Sequence, residues 1–166
     1  MRVPIRKGGQ YTFMKSDPFM TAEKLAELKV SLEKLKKHIQ PELAKEVKRL
    51  ALMGDFSENA AYQIAKGRLR STNERISRLT KQISSAQIIE PNKKNQVVQI
   101  GSVVTVEVNT QTKNFQILGS LESDPAKGVI SHVSPLGQEL LGKKIGDIVE
   151  LKREDQTIKY KIIKIN

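Results

Sequence analysis

The chain has 166 residues, a formal net charge of +11 and no cysteine. This length suits one ordinary domain, or a small domain with an extended element, and the missing thiols exclude disulfides and thiolate metal sites. The excess of Lys and Arg points to an anionic partner, phosphates being the commonest intracellular anions, and no apolar run approaches the roughly 18 residues of a membrane span, so a cytoplasmic protein without a membrane partner is expected.

Residues 1–19 carry Arg2, Arg6, Lys7 and Lys15 around Gly8-Gly9 and read as a flexible basic tail. Over residues 20–90 the apolar side chains fall into two seams. Leu25, Leu28, Leu32, Leu35 and Ile39 step by alternate threes and fours, and Leu43, Val47 and Leu50 continue the stripe; Tyr62, Ala65, Leu69, Thr72, Ile76, Leu79, Ile83 and Ala86 repeat it. Few residues separate the seams, so the helices must fold back antiparallel and cover each other. About 30 helical residues give an arm roughly 45 Å long. Pro41 lacks the amide that would continue the ladder, so a kink or break is expected at Ile39–Pro41, with the arm bending rather than ending. Gly67 lies off the seam and costs about 1 kcal/mol relative to alanine in a helix.

The turn of the hairpin, residues 54–59, reads Gly-Asp-Phe-Ser-Glu-Asn and holds a carboxylate pair, Asp55 and Glu58. Lys45, Lys48, Arg49, Lys66, Arg68 and Arg70 flank it, so the arm is basic along its outer shaft and acidic at its point. Scarcity of aromatic residues there argues against a stacking platform for single strands. Two jobs are open to the acids. Asp55 can be the N-cap of the second helix and Glu58 its capping-box partner, with Gly54 ending the first helix. Alternatively the pair can help hold Mg²⁺, which takes one or two carboxylates and completes its octahedron with water and phosphate oxygens. Two exposed carboxylates bind Mg²⁺ weakly, so the second job needs a partner that already holds metal and phosphate.

Residues 91–100, opening with Pro91, have the composition of a linker, and residues 101–166 form the second domain. Short β-branched runs at 97–100, 103–108, 115–118, 129–133, 148–151 and 158–165 predict a small twisted antiparallel sheet, and Ser134-Pro135 opens one short helix that Gly142 closes. The fold class is α+β. The chain lacks a nucleophile elbow and a phosphate-cradling glycine loop, and His38 and His132 are far apart in sequence, so any chemistry rests on carboxylates.

The tip run from Gly54 to Tyr62, the helix end Ser85-Ala86-Gln87-Ile88-Ile89, and the stretch from Ser134-Pro135 to Leu140-Leu141-Gly142-Lys143 occur in an order and spacing that resemble the bacterial GreA/GreB transcript-cleavage factors, from about Met20 to the C-terminus. The resemblance implies a C-terminal domain of FKBP-like fold that docks on RNA polymerase through Ser134 and Pro135, and a coiled coil threaded into its secondary channel. It also implies that Asp55 and Glu58 help hold a second Mg²⁺, shared with the polymerase, for hydrolysis of backtracked RNA. Tyr62 matches the aromatic position behind the tip, and Lys48, Arg49, Lys66, Arg68 and Arg70 become candidates for contacting the nascent RNA 3′ end. The factor would then be no enzyme by itself, and a monomer is expected. Phe56 and Ser57 replace a common Leu-Lys, and Val133 stands where relatives often carry a polar residue. A paralogue that occupies the channel without cleavage is the alternative reading, and a prolyl isomerase or chaperone a remote one, since the C-terminal half offers only Phe115 and Tyr160 for an aromatic pocket.

Overall fold

The computed structural model describes residues 17–53, 59–90, 96–153 and 156–166. The basic tail to residue 16, the tip residues Gly54, Asp55, Phe56, Ser57 and Glu58, and the first half of the linker lie outside the described residues.

The chain opens with a short strand β1 (Phe19–Met20), followed by α1 (Ala22–Lys34), a π-helical turn (Leu35–Ile39) and α2 (Gln40–Ala51), and returns along α3 (Ala60–Ser84). Every seam position named from the sequence is buried or half-buried, with Leu35, Leu50, Ala65, Ile76 and Leu79 the most enclosed. Leu28, Leu32 and Ile39 pack around Leu35, Ile76 and Leu79. Thr21 caps α1, its hydroxyl accepting from Lys24 N–H at 3.2 Å. On the outer surface Glu33 pairs with Lys37, whose hydrogen bond and charge hold the Glu33 carboxyl below the usual carboxylate range.

Pro41 does not break the arm. It enters in the first turn of α2, and the strain is absorbed just before it, where the Gln40 N–H donates to Leu35 O five residues back. The seam explains why an extra residue belongs there. The alternation from Leu25 to Ile39 would next place apolar residues at 42, 46 and 49, yet they stand at Leu43, Val47 and Leu50, one position late. A π turn holds one residue more than an α turn, so it takes up both the slip and the missing proline donor.

After α3, strand β2 (Gln87–Ile88) runs parallel to β1, with Phe19 opposite Gln87 and Met20 opposite Ile88. Beyond it lie β3 (Val103–Val108), β4 (Gln111–Leu118), two 3₁₀ turns, β5 (Val129–Ser131), α4 (Pro135–Leu140), β6 (Ile148–Arg153) and β7 (Gln156–Ile165). These strands form one five-stranded sheet in the order β5-β4-β3-β7-β6. Alternate residues Val104, Val106 and Val108 face the core with Ile117, Ile162 and Val149, and Leu140 of α4 packs on them. The architecture is α+β, as expected, but the sheet is mixed rather than purely antiparallel because β4 and β5 run parallel. Only three residue pairs are involved, Gln116 to Leu118 with Val129 to Ser131, so the connection doubles back by less than a strand length and needs no long crossover. The run at 97–100 is not a strand either. Val97 makes a single bridge to Lys144, and the chain turns at Ile100–Gly101 after burying Val98.

Arm and sheet meet at residues 17–21. Asp17 accepts from Ser120, Glu122 accepts from Thr21, and Gly119 lies so close to β1 that a Cβ there would fall 1.8 Å from Phe19 O.

Candidate functional site

At the outer end of the arm α2 closes with Leu52 N–H donating to Lys48 O at 3.2 Å, and the exposed Leu52 and Met53 lead into the turn. The return helix starts at Ala60. Its N-cap is Asn59, in a non-helical conformation with Oδ1 accepting from Tyr62 N–H at 3.1 Å. The capping work that the sequence offered to Asp55 and Glu58 is therefore done by Asn59. Asn and Asp are equally good caps, and the two are four residues apart, so sequence alone did not choose between them; the Ala60-Ala61 pair of strong helix formers directly after Asn59 is the signal that could have.

Tyr62 is half-buried in the first turn of α3, and the Lys66 ammonium lies 5.8 Å from its ring centroid, one helical turn on. The five basic candidates are all exposed. They do not form one face. Lys66 and Arg70 are four apart and share a flank, whereas Arg68, two residues from each, points elsewhere. Arg70 is engaged with Glu74 at 3.1 Å, and Arg49 Nη1 lies 3.6 Å from Met53 Sδ. Lys48 and Arg68 make no ion pair among the described residues.

In the sheet domain Ser134 caps α4, accepting from Gly137 N–H at 3.1 Å while donating to Ser131 O at 2.6 Å. Its hydroxyl is thus used internally, and Pro135 and Val133 are the exposed members of that loop. Among the described residues no group of three or more His, Cys, Asp or Glu side chains could hold a metal ion. The hard oxygen donors of Asp55 and Glu58 fit Mg²⁺ in kind, and two of them leave most of an octahedron to other molecules.

Two family models match, one on each part of the chain: "Transcription elongation factor, N-terminal" over residues 18–88 and "Transcription elongation factor, GreA/GreB, C-term" over residues 93–166. Among curated relatives, the transcription elongation factor GreA of Alkaliphilus oremlandii is 38% identical over 149 residues, covering 88% of this chain and 94% of its own. That of Mesoplasma florum is 36% identical over 156 residues, covering 92% and 100%. Among solved structures, the GreA factor homolog 1 of Thermus thermophilus is 25% identical, covers 86% of this chain and 94% of its own, and superposes with a TM-score of 0.39. Both family models and these relatives place the chain in the class of transcription elongation factors. The chain belongs to the GreA/GreB family.

Proposed function

We propose that this elongation factor binds RNA polymerase, inserts its arm into the secondary channel and stimulates hydrolysis of backtracked RNA at the polymerase active site. The observation that supports it best is the cap of α3. With Asn59 satisfying the helix start, Asp55 and Glu58 are not needed as caps, and a rod about 45 Å long carries them at its end. Asp55 and Glu58 would hold Mg²⁺ jointly with polymerase carboxylates and RNA phosphate. Bound there, the ion supplies charge stabilisation and an activated water for in-line phosphodiester hydrolysis. The factor contributes ligands in trans and is no enzyme by itself. Tyr62, on the seam with Lys66 over its ring, stiffens the first turn of α3.

Lys48, Arg49, Lys66, Arg68 and Arg70 would attract the extruded RNA 3′ segment through its phosphates, a sequence-independent and salt-sensitive contact. Because Lys66 and Arg70 share a flank that Arg68 does not, a single RNA strand passing on one side meets the first two together. On the sheet domain, the exposed Pro135 and Val133 of the loop that Ser134 caps offer the docking contact.

The test uses a stalled, backtracked complex carrying 3′-labelled RNA in Mg²⁺. Wild-type protein is expected to release short 3′ fragments, and Asp55→Asn and Glu58→Gln to bind polymerase without releasing them. Binding without cleavage by the wild type would instead make this chain a channel-occupying regulator.

A further inference from the structure

At the base of the arm two carboxylates reach across the junction from opposite sides. Asp17 stands just before β1 with its side chain only 8% exposed. One of its oxygens accepts from Phe19 N–H at 3.1 Å; the other accepts from the N–H and hydroxyl of Ser120 at 2.7 and 2.8 Å and lies 3.3 Å from His132 Nδ1. Glu122, on the sheet domain, answers by accepting from the N–H of Thr21 at 2.8 Å and from its hydroxyl. Thr21 is itself the cap of α1, so Glu122 grips the first residue of the arm. The Phe19 ring packs edge-on against His132 at 5.4 Å, and the glycine at 119 admits the β1 backbone where any side chain would collide. Asp17 lies one residue before the segment that the N-terminal family model matches, so this half of the clamp stands outside the family match.

We propose that Asp17 and Glu122 are positioning residues that hold the arm at one angle to the sheet domain, so that docking of the domain also aims the tip; this rests on the transcript-cleavage reading above. The lever explains why stiffness at the base matters. A tilt of about 5° at the foot of a 45 Å arm swings its end by about 4 Å, whereas metal-binding and catalytic groups need placement to about 0.5 Å. Hydrogen bonds to a carboxylate are roughly twice as strong as neutral ones, and the Asp17 side chain that accepts three of them is itself largely covered. A polymerase channel that receives a loosened arm must spend part of each encounter with the acids out of place.

Two readouts test the clamp. The chain has no cysteine, so Ser71→Cys on the arm and Lys113→Cys on the sheet give a unique pair of spin-label sites, and double electron–electron resonance reports the distance distribution between arm and domain. The same backgrounds carrying Asp17→Ala or Glu122→Gln are titrated into the backtracked complex. The expected result is a narrow distribution that broadens in both variants at unchanged helix content. The maximal cleavage rate falls about three- to tenfold while the half-saturating factor concentration stays within about twofold, since misplacement by ångströms penalises the chemical step. An unchanged distribution overturns the clamp, and a broadened one with an unchanged maximal rate overturns its positioning role. If Asp17→Ala fails to fold, Ser120→Ala, which keeps the backbone donor, carries the same test beside Glu122→Gln. Should the wild type itself not cleave, the transcript-cleavage reading fails, and the distance distributions still decide whether the two carboxylates hold the arm.

Discussion

The arm and the sheet domain are built from similar apolar residues but enclose them differently. In the sheet domain Val104, Val106 and Ile117 have no exposed surface, because the curled sheet covers them from below and α4 with its flanking turns from above. In the arm, Leu28, Leu32 and Ile39 remain half-exposed around a few enclosed positions, since two helices can shield each side chain from one direction only. Full burial of such a side chain stabilises by about 1.5–3 kcal/mol, and a half-covered one by correspondingly less. The sheet domain therefore holds its shape from a centre, whereas the arm distributes its stability thinly along its length and is the first part able to open locally.

That contrast can be broken most directly at the two cores. Ile117→Ala is expected to cost about 2–5 kcal/mol, and Leu32→Ala in the arm about half as much, read from denaturant midpoints together with native-state hydrogen exchange. Equal losses would show that the arm is as tightly enclosed as the sheet. At the outer end, Asn59→Ala should cost about 1 kcal/mol and speed exchange of the first-turn amides of α3, with Tyr62 N–H losing its partner, whereas Asn59→Asp should leave both nearly unchanged. No effect of the alanine would return the capping task to Asp55. The smallest change sharpens the picture of the arm's surface. Nothing lies within 4 Å of a Cβ built on Gly67, and nothing in the structure explains that glycine, so Gly67→Ala should raise the arm's stability by up to about 1 kcal/mol in thermal unfolding.

Periodicity carried the arm: each residue placed on the seam is buried or half-buried, because a 3,4 spacing admits only one helical face. It carried the α4 cap as well, since Ser134, Pro135 and Gly142 each have a local backbone reason for their places, the last at φ +78°. Local chemistry does not, however, say how strands pair, so the parallel partnership of β4 and β5 was not legible. A proline in a helix pattern signals a missing donor, but not whether the chain breaks or inserts a wider turn. The junction was the least readable part. Asp17 and Ser120 are 103 residues apart, Thr21 and Glu122 are 101, and no pattern within a helix or strand links them. At the tip the acids stand out by charge and place, while the choice of cap needed the helix start to be seen.

The π turn also sets an azimuth. Each residue advances an α-helix by about 100°, so without the wider turn the one-residue slip would rotate all of α2 by that angle about the arm axis. Leu43, Val47 and Leu50 would leave the seam, and Arg49 would turn into it toward the partner helix. Five residues midway along the arm thus decide the compass bearing of the charges carried beyond them.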